Sequence, residues 1–550
     1  ASRIDRLPEA ERRLLERGSV EGRVFHRGAL SALLPPDERH ELAGALMALV
    51  RRDLITPHRS DHPGDDAFRF GHVLIRDAAY ASLPKERRAD LHLGFAAWLE
   101  RVASDRPLEH EEIGGYHLEQ AFLYREELGL GEEAERRELG RRAAARLEAA
   151  GRRAAERGDL PAACNLLERS ASALAGSDAQ RAALLPDLGA ALMEAGRFDE
   201  AALVLQEAVG ADDELVWAHA RIQQLVLNFY AEPERVVTEF EADHETIRQL
   251  FERASDELGL CRHWRLEGMM RWFGGRSGEA IEAWEVAVDH ARRAHAEREL
   301  VDLLAWLASG LLWGPTPVVE AIRRCEAIRT EVRLERIAEA DVDRRLACLY
   351  AMRGDFERAR ELLRRSQVVF GELGETIHAA QTEPVAFVAR LAGELREAEA
   401  ALRGGLARLE EMGERSYRST LAGLLAQVLV AQARYADAAP FVEIAVHGAA
   451  VGDLHPQITW RTAKASILAD AGALDDAERL DREAVAIAEE TDLLNDRADA
   501  WMHLARVLEQ AGRTDEAAQA TQAALELYEQ KGNVVGAALA RPRLEHPTSP

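Results

Sequence analysis

Apolar residues recur three and four positions apart along most of the chain, and short polar turns interrupt them at regular intervals. Trp501, Leu504, Ala505 and Leu508 share one helical face. Ala517, Thr521, Ala524 and Leu525 share a face of the next helix, and Ala511-Gly512-Arg513-Thr514-Asp515-Glu516-Ala517 joins the two. Versions of that joining phrase occur around Gly158, Gly196, Gly275, Gly354, Gly393, Ala433 and Gly472. Anchors 354, 393, 433, 472 and 512 are spaced by 39, 40, 39 and 40 residues. The intervals from 196 to 275 and from 275 to 354 are both 79, leaving room for copies at Glu232-Pro233 and Gly314-Pro315. Such a register over more than 350 residues is a repeat array.

Each copy reads as helix–turn–helix. Glycine supplies the positive φ that ends one helix, polar residues start the next, and alanine lets the pair approach closely. One pair cannot bury its apolar face alone, so neighbours must stack into a curved superhelical solenoid with an extended concave surface. The expected organisation is about ten repeats of 39–40 residues over 151–540, after a helical connector at 83–150 and before a disordered tail at 541–550.

The first stretch, 1–82, lacks the phrase and predicts a different fold. Helices fit Leu7–Leu15, Arg27–Leu34 and Arg39–Arg52. Asp53–His58 and Ala67–Phe70 flank the polar loop His62-Pro63-Gly64-Asp65-Asp66, as the arms of a β-hairpin do. Three helices and a hairpin make a winged-helix layout, so the expected fold class is mainly α: a winged helix followed by an α-α solenoid.

Charge and cysteine content narrow the function. The formal net charge is −26, which argues against a chain-wide nucleic-acid surface. It is unevenly spread: residues 1–104 hold 17 basic and 16 acidic residues, leaving −27 for the remainder. Cys164, Cys261, Cys325 and Cys348 are too far apart for a CxxC site and read as buried thiols of a cytoplasmic protein. No secretory leader opens the sequence, and the apolar run Leu303–Gly314 is too short to cross a bilayer, so no membrane partner is expected. A first residue other than Met suggests a piece of a larger protein.

Catalytic motifs are missing. A phosphate-binding loop needs Gly-Lys-Ser or Gly-Lys-Thr, but Lys85, Lys464 and Lys531 follow Pro84, Ala463 and Gln530. His110-Glu111, His244-Glu245 and His503 have no second histidine at zinc-protease spacing, so no metal site is read. No nucleophile elbow occurs, and no enzyme activity or cofactor is assigned to this chain.

The last repeat resembles the tetratricopeptide repeat. Its Gly and Tyr positions are filled by Ala505 and Leu508, its second aromatic by Thr521, and the period exceeds the usual one by about a helical turn. A wider resemblance rests on Phe70-Gly71-His72-Val73-Leu74-Ile75-Arg76-Asp77, Arg51-Arg52-Asp53-Leu54-Ile55 and Gly115-Tyr116-His117-Leu118-Glu119-Gln120-Ala121. Together these resemble the C-terminal half of bacterial signal-transducing ATPases with numerous domains (STAND proteins), which join a cyclase or LuxR-type output to an ATPase, a winged helix and such repeats. The resemblance implies an upstream nucleotide-binding domain that holds ATP or ADP. It makes His72 an ADP-phosphate sensor in the parent, although Gly71 and Val73 replace the Met and Asp of the related Met-His-Asp motif.

The leading expectation is a non-catalytic regulatory segment whose solenoid groove binds a protein or small ligand and whose winged helix controls the nucleotide state. A stand-alone assembly scaffold and a DNA-binding winged-helix regulator, the latter using Arg51, Arg52, Arg69, Arg87 and Arg88, are the alternatives. Oligomerisation is left open. Trp264, Trp272, Trp284, Trp306 and Trp313 fall within 50 residues and are candidates for an aromatic ligand pocket, set against helix-packing core.

Overall fold

The computed structural model describes every residue except 1–3, 5, 61, 63, 103–106, 177, 232, 374–379, 413–415, 450–453 and 546–550. The described residues are mainly helical and divide into two compact units, Ala1–Leu227 and Asn228–Pro550.

The first unit opens with α1 (Glu9–Glu21), β1 (Val24–His26), α2 (Arg27–Leu33), a 3-10 turn (Arg39–Glu41), α3 (Leu42–Arg51), β2 (Ile55–His58) and β3 (Ala67–Phe70). The three helices and the hairpin fall where the apolar pattern puts them, and the expected loop at its tip lies partly outside the described residues. Strand β1 does not follow from the pattern, because three residues are too few to show alternation. It pairs antiparallel with β3, placing Phe25 opposite Phe68 in a sheet of order β1-β3-β2. Leu15, Phe25, Leu30, Leu49, Ile55 and Phe70 are at most 2% exposed and form the core beneath that sheet.

Three further helices follow, α4 (Val73–Ser82), α5 (Lys85–Val102) and α6 (Pro107–Leu128). A polar chain ties them together. The Tyr80 hydroxyl lies 3.0 Å from that of Tyr124 and 2.8 Å from His92 Nε2, and His92 Nδ1 lies 2.8 Å from His117 Nδ1. Burial, reinforced by Arg76 and Arg88, pushes His92 down to about 3, and burial also holds His117 well below its ordinary value. Both rings are therefore neutral near pH 7, and one Nδ1 donates while the other accepts, which two imidazolium ions could not do. Glu119, two residues past His117, receives a fork from Arg169, with its closest contact at 2.6 Å. The phrase Gly115–Ala121 thus does structural work at the junction with the repeats. These are α7 (Glu133–Glu156), α8 (Leu160–Ser172), α9 (Ala179–Glu194) and α10 (Phe198–Val209), and next comes α11 (Glu214–Ala231).

Helix pairs continue through the second unit. They run α12 (Pro233–Ala254), α13 (Glu257–Phe273), α14 (Ser277–Ala294), α15 (Glu297–Trp313), α16 (Val318–Glu331), α17 (Arg336–Met352) and α18 (Phe356–Leu373). The remaining helices are α19 (Glu383–Leu391), α20 (Leu395–Met412), α21 (Ser416–Ala431), α22 (Tyr435–Gly448), α23 (Leu454–Asp470), α24 (Leu474–Glu489), α25 (Leu494–Gln510), α26 (Thr514–Lys531) and α27 (Val534–Glu545). The recurrent phrase is the turn inside each pair. Gly158, Gly196, Gly275, Gly354, Gly393, Gly472 and Gly512 all have φ between 68° and 83°. The next residue donates its N–H to the carbonyl five positions back, as in Arg276 to Arg271 (2.9 Å) and Arg513 to Leu508 (2.9 Å). This closure satisfies carbonyls that the helix end leaves open. Ala433 does the same at φ 56°, a conformation that strains a residue carrying a Cβ.

Gly314 to Pro317 forms the α15–α16 turn, one of the two copies that the spacing calls for. The other, at Glu232-Pro233, includes a residue outside the described set, with α11 ending at Ala231 and α12 starting at Pro233. The expected tail needs correction. Helix α27 runs on to Glu545, because Ala540 is buried and Arg541 and Arg543 reach Glu529 (2.7 Å) and Glu509 (2.9 Å). Residues 546–550 lie outside the described set.

The second unit also folds back on itself. Asp492 accepts from the Ser277 and Gly278 N–H groups (2.8 and 2.7 Å), at the start of α14, whose own N-cap Arg276 provides no side-chain bond. Lys531, fully buried, donates to the carbonyls of Leu311 (3.2 Å), Gly314 (2.6 Å) and Thr316 (2.9 Å) around the end of α15. A carboxylate meets a helix N-terminus and an ammonium meets a C-terminus, each matching the sign of the helix dipole. Asn495 adds a contact with the Met352 sulfur (3.6 Å) and accepts from Asn533 (3.0 Å).

Candidate functional site

Within the second unit, the first helices of four successive pairs line a groove with an open volume of about 640 Å³. Each presents residues at helical spacing. Helix α19 gives Glu383, Ala386, Phe387 and Arg390; α23 gives His455, Ile458, Thr459 and Thr462; α25 gives Asp496, Asp499, Ala500 and His503. All three sets follow i, i+3, i+4, i+7, one face of a helix. Helix α21 adds Leu424, Gln427 and Val428, and Trp313 stands at one end with its ring edge-on to Phe387 at 5.3 Å.

The polar groups of this groove are held in place. Arg390 donates to Asp499 Oδ2 through both terminal nitrogens (3.1 and 3.0 Å), and the Tyr528 hydroxyl binds the other oxygen of that carboxylate. Burial works against ionisation of Asp499, but Arg390 and the Tyr528 hydroxyl outweigh it and hold the carboxyl below its usual range. His455 Nδ1 meets Asp496 at 2.6 Å, Gln427 donates to Thr462 Oγ1 at 2.9 Å, and Tyr417 donates to Glu383 at 3.0 Å. His503 is 8% exposed, and burial assisted by Arg506 pushes it down to about 3, so it is neutral. Glu383, Asp496 and Asp499 bring three carboxyl groups to the lining, where Arg390 pairs with Asp499 and His455 with Asp496. Pre-set acceptors on an apolar floor suit a ligand rich in N–H groups or carrying a cation.

Of the five candidate tryptophans, Trp313 lines this groove. Trp284 is fully buried and donates from Nε1 to the Arg265 carbonyl (3.3 Å), with Trp272 and Trp306 rings 5.9 and 5.5 Å away. Trp264 packs partly buried against the same core, and Gly268 approaches Trp284 so closely that an added Cβ would lie 2.2 Å from its Nε1. His72 is exposed at the N-cap of α4, where its Nδ1 accepts from the Leu74 N–H (3.1 Å). The neighbouring Gly71 has a local reason: it donates to the Leu54 carbonyl, and a Cβ there would stand 2.8 Å from the Asp53 carbonyl oxygen. Arg76 donates to the Ser19 carbonyl (3.0 Å) and pairs with Asp77 (3.2 Å). Among the basic residues near the hairpin, Arg52 pairs with Glu11 (3.0 Å), and Arg88 lies over the Tyr80 ring.

The groove residues Arg390, Asp499, His455 and His503 carry no motif. The signal available in the sequence is their placement on the first helix of each pair, at positions that a wholly structural repeat would fill with apolar residues. None of the described helices is long and apolar enough to cross a membrane.

Two segments match family models described as Tetratricopeptide repeat, residues 458–491 and 498–531. These cover most of helix pairs α23–α24 and α25–α26, so the groove is built in part from tetratricopeptide repeats. No curated protein matches the chain. Among solved structures, a Rap protein complexed with Competence and Sporulation Factor superposes with a TM-score of 0.50 at 14% identity, covering 64% of this chain and 99% of its own. That likeness is one of fold. The Cut9–Hcn1 hetero-tetramer of the APC/C gives 0.44 at 14% identity, covering 86% and 92%. A STAND protein with a tetratricopeptide repeat sensor from Pyrococcus horikoshii gives 0.33 at 13% identity, covering 98% of this chain and 66% of that one.

Proposed function

We propose that the chain is a sensor module, and that the groove of its second unit captures an extended segment of a partner protein or a small ligand bearing a cationic group. The observation that carries this reading is the aligned set of acceptors Glu383, Asp496 and Asp499 on an apolar floor, with Arg390 fixing Asp499. Binding rather than chemistry suits these groups, because each is committed to a hydrogen-bonded partner instead of a nucleophile. The superposable Rap protein was solved with a bound factor, which supports a ligand-binding role for this type of array.

The finer part of the reading concerns 1–82. Its α1-β1-α2-α3-β2-β3 order and β1-β3-β2 sheet support a winged helix. With the repeats behind it, and with His72 exposed at the start of α4, it suits the regulatory half of a STAND ATPase. In such a parent His72 would meet the phosphates of ADP, and ligand capture by the repeats would favour the released arrangement through differential affinity. A scaffold without nucleotide control is the second reading, favoured by the hydrogen bond that already engages His72 Nδ1.

Panning a random peptide library against the full chain tests the groove. Enriched peptides should contain Lys or Arg and lose at least about tenfold in affinity on Asp496→Asn or Thr462→Arg. Enrichment unaffected by either change overturns the reading. For the nucleotide arm, His72→Ala in a parent carrying an ATPase domain should speed ADP release, and an unchanged rate discards the latch.

A further inference from the structure

Away from the groove, α12 and α13 bring together two histidines and a carboxylate that lie far apart in chemical meaning along the sequence. His263 and Glu267 are four residues apart on α13 and so share one face, and His244 faces them from α12. One ligand atom from each, two imidazole nitrogens and a carboxylate oxygen, lies within 4.8 Å of the others. Three points 4.8 Å apart share a centre about 2.8 Å from each, so shifts below about 1 Å reach zinc bond lengths of about 2.0–2.2 Å.

Several independent features suit these residues to a cation. His263 is 1% exposed, and its Nδ1 is buried without a hydrogen-bond partner. An orphaned buried ring nitrogen is costly, and a bound cation is one way to satisfy it when the nitrogen faces the site. Arg271 donates twice to Glu267 Oε1 (3.0 and 2.7 Å), which fixes the carboxylate and leaves Oε2 toward His244 Nδ1, 3.9 Å away. Arg271 is itself paired with Glu279 (2.7 Å), and Arg248 with Glu245 (2.7 Å), so the nearby cations are balanced. Phe240 stacks against both imidazoles, at 5.2 Å from His244 and 5.9 Å from His263, and limits their rotation.

We propose that His244, His263 and Glu267 form a binding site for a borderline divalent transition cation, zinc in the first instance, with a fourth position open to water or a donor from outside the chain. Two imidazoles select zinc, cobalt or nickel over calcium and magnesium, which require oxygen donors throughout. Three protein ligands and an open position distinguish such a centre from a closed structural one. The site would clamp α12 to α13, two consecutive helices of the array.

The test uses the full chain, stripped with a chelator and titrated with Co2+ and then Zn2+. One equivalent of Co2+ should bind with a visible tetrahedral absorption band, and Zn2+ should displace it. His244→Gln and Glu267→Gln should each weaken binding by at least about 100-fold. His244 is part-exposed, so His244→Gln should keep the helical circular dichroism of the parent, and Zn2+ should raise the melting temperature of the parent but not of this variant. Absence of a saturable equivalent, or equal binding by the parent and both variants, overturns the proposal.

Discussion

Two buried polar sets, one in each unit, are built in opposite ways. In the first, His92, His117, Tyr80 and Tyr124 form a neutral chain among neighbouring helices, with no full charge inside it. In the second, Lys531 and Asp492 bring full charges to helix ends more than 200 residues away in sequence. A neutral chain is indifferent to salt but fails when protons are added. Burial pushes Lys531 down to about 7, so its capping charge is lost as pH rises through neutrality, and loss of either capping side chain leaves buried carbonyl or N–H groups unpartnered.

The largest expected effect is acid lability. His92 and His503 both have folded values of about 3, below the ordinary 6.5. The unfolded chain therefore takes up protons first, and each group's contribution is intact above pH 6.5 and falls as pH drops toward 3. Each should add up to about 1.4 kcal/mol per pH unit to the loss, about 5 kcal/mol over the window. His92→Gln should flatten the pH dependence of urea unfolding for the first unit and His503→Gln for the second. Parallel curves for variant and parent would show that the burial of these rings does not govern acid unfolding.

Lys531→Met comes next. It keeps the stem but abandons three carbonyls, and should cost the second unit about 2–4 kcal/mol while leaving the melting of the first unchanged. Asp492→Ala should cost about 1–2 kcal/mol, the range for losing an N-cap, despite the cap coming from another repeat. Hydrogen exchange at Ser277 and Gly278 should rise in that variant alone. The smallest change should be a gain: Ala433→Gly relieves a positive φ and should stabilise by about 1 kcal/mol, read as a higher urea midpoint.

The repeat turns show how much of the fold is legible in order of residues. Glycine at a fixed interval marks where most helices must stop, and the structure puts a positive φ at Gly158, Gly196, Gly275, Gly354, Gly393, Gly472, Gly512 and Ala433, whereas Gly314 ends its helix at φ −74°. The missing copy at Gly314-Pro315 was readable from spacing alone. The groove was only partly legible. Tryptophan clustering pointed toward residues 264–313, yet Trp284 fills the core and Trp313 alone of the five lines the groove, because bulk and apolarity serve packing as well as binding. Arg390 and Asp499 are 109 residues apart, and no local pattern announces that they meet.

What the sequence determined by itself was set by near neighbours: the mainly helical class, the turns at the repeat anchors, and the hairpin. These depend on backbone preferences and on apolar spacing within a few turns, which are written locally. Only the tertiary structure decided which turn of the array meets which. Lys531 at the α15 end, Asp492 at the α14 start, and His244 beside His263 and Glu267 all depend on small rotations accumulated from one helix pair to the next, a quantity that no single residue encodes.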